Sequence, residues 1–297
     1  MAFGPGGLSR QGVSALRRMI LPDRAALGTM HGKAAAIAPP MARLGITLEV
    51  PDGLDTDRFG TFTNETPRLG TMDDAARAKA CAAIAGTGLS VGIASEGAYG
   101  PHPWIPFLPI GREVLLWRNE ETGHEVIERL TDEAPCYDNA TVFSTDEAVT
   151  VLASIGFPRT AVIVAPGGPG AAPLARGLQD PGAVDDAIQR ALNLSGTGGA
   201  FLQTDMRAHL NPRRMETIGR LAERLAARLG TGCPVCAAPG WGLLRVETGL
   251  PCSWCDGLTQ LVKAEIHGCT LCGSEKSLPR TDGACTADPG HCPTCNP

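Results

Sequence analysis

Long apolar runs are absent from this 297-residue chain. No stretch approaches the ~18 residues needed to cross a bilayer, so no membrane association is expected. Charge near the start (Arg10, Arg17, Arg18) is not followed by an apolar segment, which excludes the secretory-signal pattern. Aromatic side chains are scarce, 7 Phe, 4 Trp and 2 Tyr, which argues against a base-stacking platform. Excess positive charge is lacking too: Lys+Arg 26 against Asp+Glu 31 gives −5, the wrong sign for a general nucleic-acid binder. Hydrophobic content of 43% with 19% charged residues supports a buried core and excludes global disorder. The length suits two domains at about 150 residues each.

What is abundant is cysteine. Of 11, nine lie between Cys233 and Cys295, mostly as CxxC pairs: Cys233/Cys236, Cys252/Cys255, Cys269/Cys272 and Cys292/Cys295. A disulfide scaffold is usually short and Cys-rich throughout. Confinement to one tail points instead to thiolate metal sites in a reducing, cytoplasmic setting. Fifteen residues separate Cys236 from Cys252 and nineteen separate Cys272 from Cys292, the zinc-ribbon spacing in both cases. Zinc takes four soft ligands tetrahedrally, and each knuckle turns two thiolates towards one point. The expectation is two tandem ribbons in sequential order, Cys233/Cys236/Cys252/Cys255 and Cys269/Cys272/Cys292/Cys295, each holding a structural Zn²⁺. An interleaved arrangement, first pair with third, is the alternative, and Cys285 and His291 are spare ligands for the second site. Residues 230–297 hold four Lys/Arg and six Asp/Glu, so protein contact or self-association is favoured over nucleic acid.

Three regions follow: an extension over 1–24, an α/β domain over 25–229 and the zinc-ribbon tail over 230–297. In the middle region strand-like and helix-like pieces alternate, which predicts a mixed or mostly parallel sheet with flanking helices. Strands are expected over Ala25–Met30, Gly45–Val50, Leu89–Ser95, Val114–Trp117, Ala161–Ala165 and Gly199–Gln203. Thr71 and Ser144 spell helix caps. Pro39-Pro40 should break or kink the helix of Lys33–Leu44, and Pro212–Leu229 reads as a long amphipathic helix.

Polar clusters interrupt this pattern at three places. Gly28-Thr-Met-His-Gly-Lys33 joins a strand to a helix, where backbone N–H groups and Lys33 can meet an anion; an ordinary turn has the same spelling. Ala94-Ser-Glu-Gly-Ala-Tyr-Gly-Pro-His-Pro103 puts Glu96 just after an apolar strand, placed to hold a metal or polarise water. Thr204-Asp-Met-Arg-Ala-His209 alternates Asp205, Arg207 and His209, which an extended segment would put on one side; a capping Asp with a structural salt bridge is the competing reading. No Ser-His-Asp or Cys-His nucleophile is legible.

Two resemblances add to this. TMHGK (29–33), DTDRFGTFT (55–63), GIASEGAYGPHPWIPFLP (92–109), TDMRAHLNPRRM (204–215) and the CxxC tail resemble an uncharacterised bacterial family that ends in paired zinc ribbons. Over about residues 25–120, the order of Gly28–Lys33, Thr71–Ala80 and Gly92–Gly97 is similar to the inosine/xanthosine triphosphatase group of nucleotide pyrophosphatases. That likeness implies phosphate binding by Lys33, Arg77 and Lys79, and a divalent metal, Mg²⁺ or Mn²⁺, at Glu96. His31 stands where that group usually has Asn.

The combined expectation is a divalent-metal-dependent hydrolase of phosphate anhydrides in a nucleotide-like small molecule. Its catalytic residues would be Glu96, Asp205 and His209; Thr29, His31, Lys33, Arg77, His102 and Arg207 would bind substrate. The alternatives are a zinc-ribbon adaptor or regulator with a small-ligand-binding α/β domain, or a biosynthetic enzyme using the same pocket for other chemistry.

Overall fold

The computed structural model describes residues 21–60, 66–68, 70–196 and 198–297. Residues 1–20 of the expected extension and the end of the 55–63 segment lie outside them. Two compact units emerge, one built from Asp23–Glu121 with Ile127–Ala226, the other from Ala227–Pro297 with Thr122–Val126.

The larger unit contains two sheets. The first runs in the order β2-β1-β3-β4-β5. Strand β1 (Arg24–Gly28) pairs in parallel with β2 (Thr47–Glu49) and β3 (Val91–Pro101), while β4 (Pro109–Asn119) returns antiparallel to β3. Strand β5 (Glu125–Asp132) closes the order. Helices α1 (Ala34–Ala42) and α2 (Met72–Thr87) make the two crossovers. The second sheet is fully antiparallel, β6 (Asn139–Val142), β9 (Ala200–Thr204), β7 (Val162–Pro166) and β8 (Ala175–Leu178), in that order. Its core joins Val142, Val162, Val164, Ala200 and Leu202 to Ala148 of α3 (Thr145–Ser154) and Val184, Ile188 and Ala191 of α4 (Pro181–Leu194). The last helix, α5, spans Pro212–Leu229. The architecture is therefore mixed α/β with flanking helices, and β1 pairs in parallel with both its neighbours.

Local chemistry accounts for most of these elements. Thr71 accepts from the Asp74 amide while the Asp74 carboxylate accepts from the Thr71 amide, a full capping box. Ser144 caps α3 by accepting from the Glu147 amide. Helix α2 buries Ala75, Ala76, Ala80 and Ala83, so it sits very close to the sheet. A Cβ on Gly28 would lie 2.6 Å from the Lys79 carbonyl oxygen, and one on Gly92 would lie 2.6 Å from that of Ala80. Glycine on the strands and alanine on the helix are what let Lys79 reach over the sheet.

Two expected interruptions are absent here. Helix α1 is unbroken through Pro39 and Pro40. These prolines remove only the two N–H groups that would have bonded the carbonyls of Ala35 and Ala36, and Pro40 is buried, so packing holds the short helix together. Strand β3 also does not stop at Ser95. It continues to Pro101, with Glu96 opposite Val114 and Gly97 opposite Glu113. The glycines after Glu96 are strand glycines: a Cβ on Gly97 would meet the Glu113 carboxylate at 2.5 Å.

In the smaller unit, β10 (Gly242–Thr248), β11 (Val262–Gly268) and β12 (Glu275–Pro279) form an antiparallel meander. Each strand fills one spacer between successive CxxC pairs.

Candidate functional site: a cationic cavity and two cysteine tetrads

The larger unit holds a cavity of about 170 Å³. The end of β1 brings Gly28, Thr29, His31 and Lys33; β3 brings Ser95 and Glu96; α2 brings Lys79; the segment after β9 brings Asp205 and Arg207; α5 brings Arg214. Of the residues expected to act, Thr29, His31, Lys33, Glu96, Asp205 and Arg207 line this one space. His209 stands beside it, its ring stacked on His31 at 5.4 Å between centroids. Two do not line it. Arg77 faces away on α2 and pairs with Asp74 at 2.9 Å. His102 lies in the β3–β4 hairpin, where its Nδ1 accepts from the amides of Trp104 and Ile105. The resemblance implies phosphate binding by Arg77, and His102 shares a polar cluster with Glu96 in the sequence; the pitch of α2 and the length of the hairpin carry both elsewhere.

Glu96 is buried and doubly engaged. Lys79 Nζ donates to Oε2 at 2.5 Å, and Arg68 donates to Oε1 through Nε (3.0 Å) and Nη2 (2.5 Å). Burial pushes this carboxyl up, but Lys79 and Arg68 outweigh it and hold the group below the usual range. Asp205 accepts from the Arg207 amide and guanidinium and from the Gly177 amide at 3.1 Å. Gly177 has φ +67° and its missing Cβ leaves room for Arg207 Nη2, so strand β8 itself is shaped around this pair. His31 Nε2 meets Asp57 Oδ1 at 3.1 Å, and burial lowers the imidazole pKa.

Lys33 differs from the other cations. It is 6% exposed, donates to Ser95 Oγ at 2.9 Å, and makes no ion pair among the described residues. Burial, reinforced by the Arg214 guanidinium, pushes its ammonium down to about 7. Behind it Arg214 donates from Nε to Glu113 at 2.6 Å, with the Tyr99 hydroxyl on the same carboxylate at 2.9 Å. Both members of the Arg214–Glu113 pair are essentially inaccessible, at 1% and 0% side-chain exposure. The sequence reading missed Ser95, Arg68, Glu113 and Arg214. Arg214 follows Arg213 at the start of an amphipathic helix, and nothing local distinguishes the buried arginine from the exposed one.

Charge on the cavity wall is lopsided. Lys33, Arg68, Lys79, Arg176, Arg207 and Arg214 face Asp57, Glu96 and Asp205, six cations against three carboxylates in a chain of net charge −5.

The smaller unit carries two cysteine tetrads, Cys233/Cys236/Cys269/Cys272 and Cys252/Cys255/Cys292/Cys295, with the ligand atoms of each within 4.8 Å of one another. Sulfur–sulfur separations of 3.8 and 3.7 Å in the first and 3.9 and 3.6 Å in the second far exceed a disulfide bond. They match the ~3.8 Å edge of a tetrahedron with Zn–S near 2.3 Å. Each tetrad could therefore hold a structural metal ion. The pairing is interleaved, which corrects the sequential order expected from spacing. The reason is topological: one strand of the meander separates successive knuckles, so first and third fall at one end and second and fourth at the other. Cys285 and His291 belong to neither tetrad among the described residues.

Knuckle geometry repeats. The residue after the second cysteine turns back to the first, with Ala237, Asp256, Gly273 and Asn296 amides donating to the carbonyls of Cys233, Cys252, Cys269 and Cys292. This forces Ala237 (φ 61°) and Asp256 (φ 55°) into the left-handed region.

A cationic cavity in an α/β unit, together with interleaved cysteine tetrads, defines the class to which this chain belongs: mixed α/β proteins with an appended module of cysteine clusters that could hold metal ions. The chain is a member of the family described as Domain of unknown function (DUF6671), which matches residues 79–297. That span holds both tetrads, Glu96, Asp205 and Arg207, and leaves Lys33 upstream of it. No curated protein and no solved structure matches the chain. No helix among the described residues is long and apolar enough to cross a membrane.

Proposed function

We propose that the larger unit binds a phosphate-bearing small molecule, a nucleotide or nucleotide-like compound, in the cationic cavity and hydrolyses its phosphate anhydride with a divalent ion. One observation carries this reading: the six-to-three excess of cations over carboxylates on the cavity wall. In a partly water-excluded space such an excess favours an anion with several charges, and guanidinium groups suit phosphate oxygens. Arg207, and Lys33 in its protonated form, would offset charge at the phosphates, and His31 stacked on His209 would sit at their edge. Inosine/xanthosine triphosphatase-like chemistry is the model for this proposal, resting on the sequence resemblance alone.

A second reading has a specific observation in its favour. Glu96 and Asp205 are already engaged by Lys79, Arg68 and Arg207. A divalent ion at Glu96 would have to displace these cations. This favours an adaptor or regulator that binds the same class of ligand without turning it over. In that reading the smaller unit, with two structural Zn²⁺ ions, supplies the protein contact; Val235 and Trp254, inside the first and second knuckles, are 73% and 78% exposed.

Calorimetry with pyrophosphate and nucleoside triphosphates, with and without Mg²⁺ or Mn²⁺, tests the common part. Dissociation constants tighter than about 1 mM, worth about 4 kcal/mol, are expected; no binding by any of them would overturn it. Glu96→Gln separates the two readings. A hydrolase loses turnover by about 10²-fold or more, whereas a binding protein shows no metal-dependent turnover in either form.

A further inference from the structure

We infer that Lys33 is an amine nucleophile, and that the cavity accepts an aldehyde or ketone bearing a phosphate or carboxylate, which Lys33 captures as an imine. This rests on the anion-binding part of the proposed function and not on hydrolysis.

The chain has only four lysines, Lys33, Lys79, Lys263 and Lys276, against 22 arginines. Two of the four line the same cavity and are treated in opposite ways. Lys79 is held by the Glu96 carboxylate at 2.5 Å. Lys33 has no carboxylate within ion-pair distance among the described residues; its one polar partner is the Ser95 hydroxyl. A buried ammonium without a counter-ion is costly, and the cheaper state is the free amine. The ordinary means of keeping lysine charged would be a carboxylate of its own, and the two whose charge reaches it, Glu113 and Glu96, are already bonded to Arg214 and Tyr99 and to Lys79 and Arg68. Burial and Arg214 push the Lys33 ammonium down to about 7, so much of it is the free base near neutrality. Desolvation beside another cation is a known way of activating a lysine nucleophile.

The remaining cavity chemistry suits the electrophile. Arg207, whose guanidinium is 34% exposed, can hold an anionic tail while its own orientation is fixed by Asp205. Formation of the imine balances as follows. The Nζ lone pair attacks the carbonyl carbon, and the carbonyl π electrons move to oxygen, which takes up a proton. Nζ loses one proton, for which the Ser95 hydroxyl is the adjacent relay. The resulting hydroxyl then leaves as water with one further proton from solvent, giving a protonated imine. One amine, one carbonyl and one proton become one iminium and one water.

Full-length protein treated near neutral pH with pyridoxal 5′-phosphate, then reduced with sodium borohydride and mapped by peptide mass spectrometry, tests this. The expected result is one reduced adduct on Lys33, formed at least about tenfold more readily than with pyridoxal, which lacks the phosphate. A tenfold preference corresponds to about 1.4 kcal/mol. Inorganic pyrophosphate should suppress it. Lys33→Arg keeps the charge and should abolish the adduct while leaving metal content and circular dichroism unchanged; if that variant does not fold, the wild-type peptide map with and without pyrophosphate decides alone. Adducts confined to Lys263 and Lys276, or equal labelling by pyridoxal, would overturn the inference. Pyrophosphate binding without a Lys33 adduct would overturn it while leaving the anion-binding proposal in place.

Discussion

Replacing cysteines in pairs tests the interleaved topology. Cys233 and Cys269 share one tetrad, and Cys252 lies in the other. Strand β10, seven residues long, separates the first knuckle from the second, a distance of about 23 Å at ~3.3 Å per residue. The two tetrads are thus at opposite ends of the meander, and the metal ions they could hold should be lost separately. Zinc in a structural thiolate site is worth roughly 10–16 kcal/mol in apparent binding free energy. Losing one ligand therefore forfeits most of one site, and losing a second ligand of that site forfeits little more. Cys233→Ala should leave about one zinc per chain, as should Cys233→Ala with Cys269→Ala. Cys233→Ala with Cys252→Ala should leave none, because both ends are broken. Elemental analysis of desalted protein, with colorimetric release under a thiol-blocking reagent, measures the count. The sequential arrangement predicts the reverse: none in the 233/269 pair and one in the 233/252 pair. That result would refute the topological argument.

Other outcomes follow from the geometry. Removing Arg214 (Arg214→Ala) leaves the Glu113 carboxylate buried without its charge partner and should cost about 3–5 kcal/mol in denaturant unfolding. Lys33→Met should stabilise the fold. The native amine has its pKa lowered to about 7 from 10.5, so the unfolded chain binds the extra proton between those values. The native penalty is full below about pH 7 and fades towards pH 10.5, so the gain in melting temperature should be largest at or below neutrality and vanish at high pH. Arg207→Ala should weaken pyrophosphate binding about tenfold or more in calorimetry, the scale of one charge-assisted contact. Asp256→Gly, which relieves a left-handed φ of 55°, should raise the thermal midpoint of the smaller unit by an amount equivalent to about 1 kcal/mol.

Much of this architecture was legible in order along the chain. The caps at Thr71 and Ser144, the helix over Pro212–Leu229 and the four CxxC knuckles are local patterns, each set by bonds within a few residues. Thr29, His31, Lys33, Glu96, Asp205 and Arg207 could be picked out as unusual polar residues at breaks in apolar periodicity, and all six line the cavity. The partners that give those residues their character were not legible. Arg68 and Lys79 on Glu96, Ser95 on Lys33, and Glu113 on Arg214 lie 28, 17, 62 and 101 positions away. The same limit applied to the metal module. Cysteine spacing alone determined that there are four knuckles and two tetrads' worth of thiolates. Which knuckles meet was decided only by the meander, because antiparallel strands return the chain to the end it left, and a tetrahedral site forms where sulfurs come within about 4 Å, not where they are nearest in sequence.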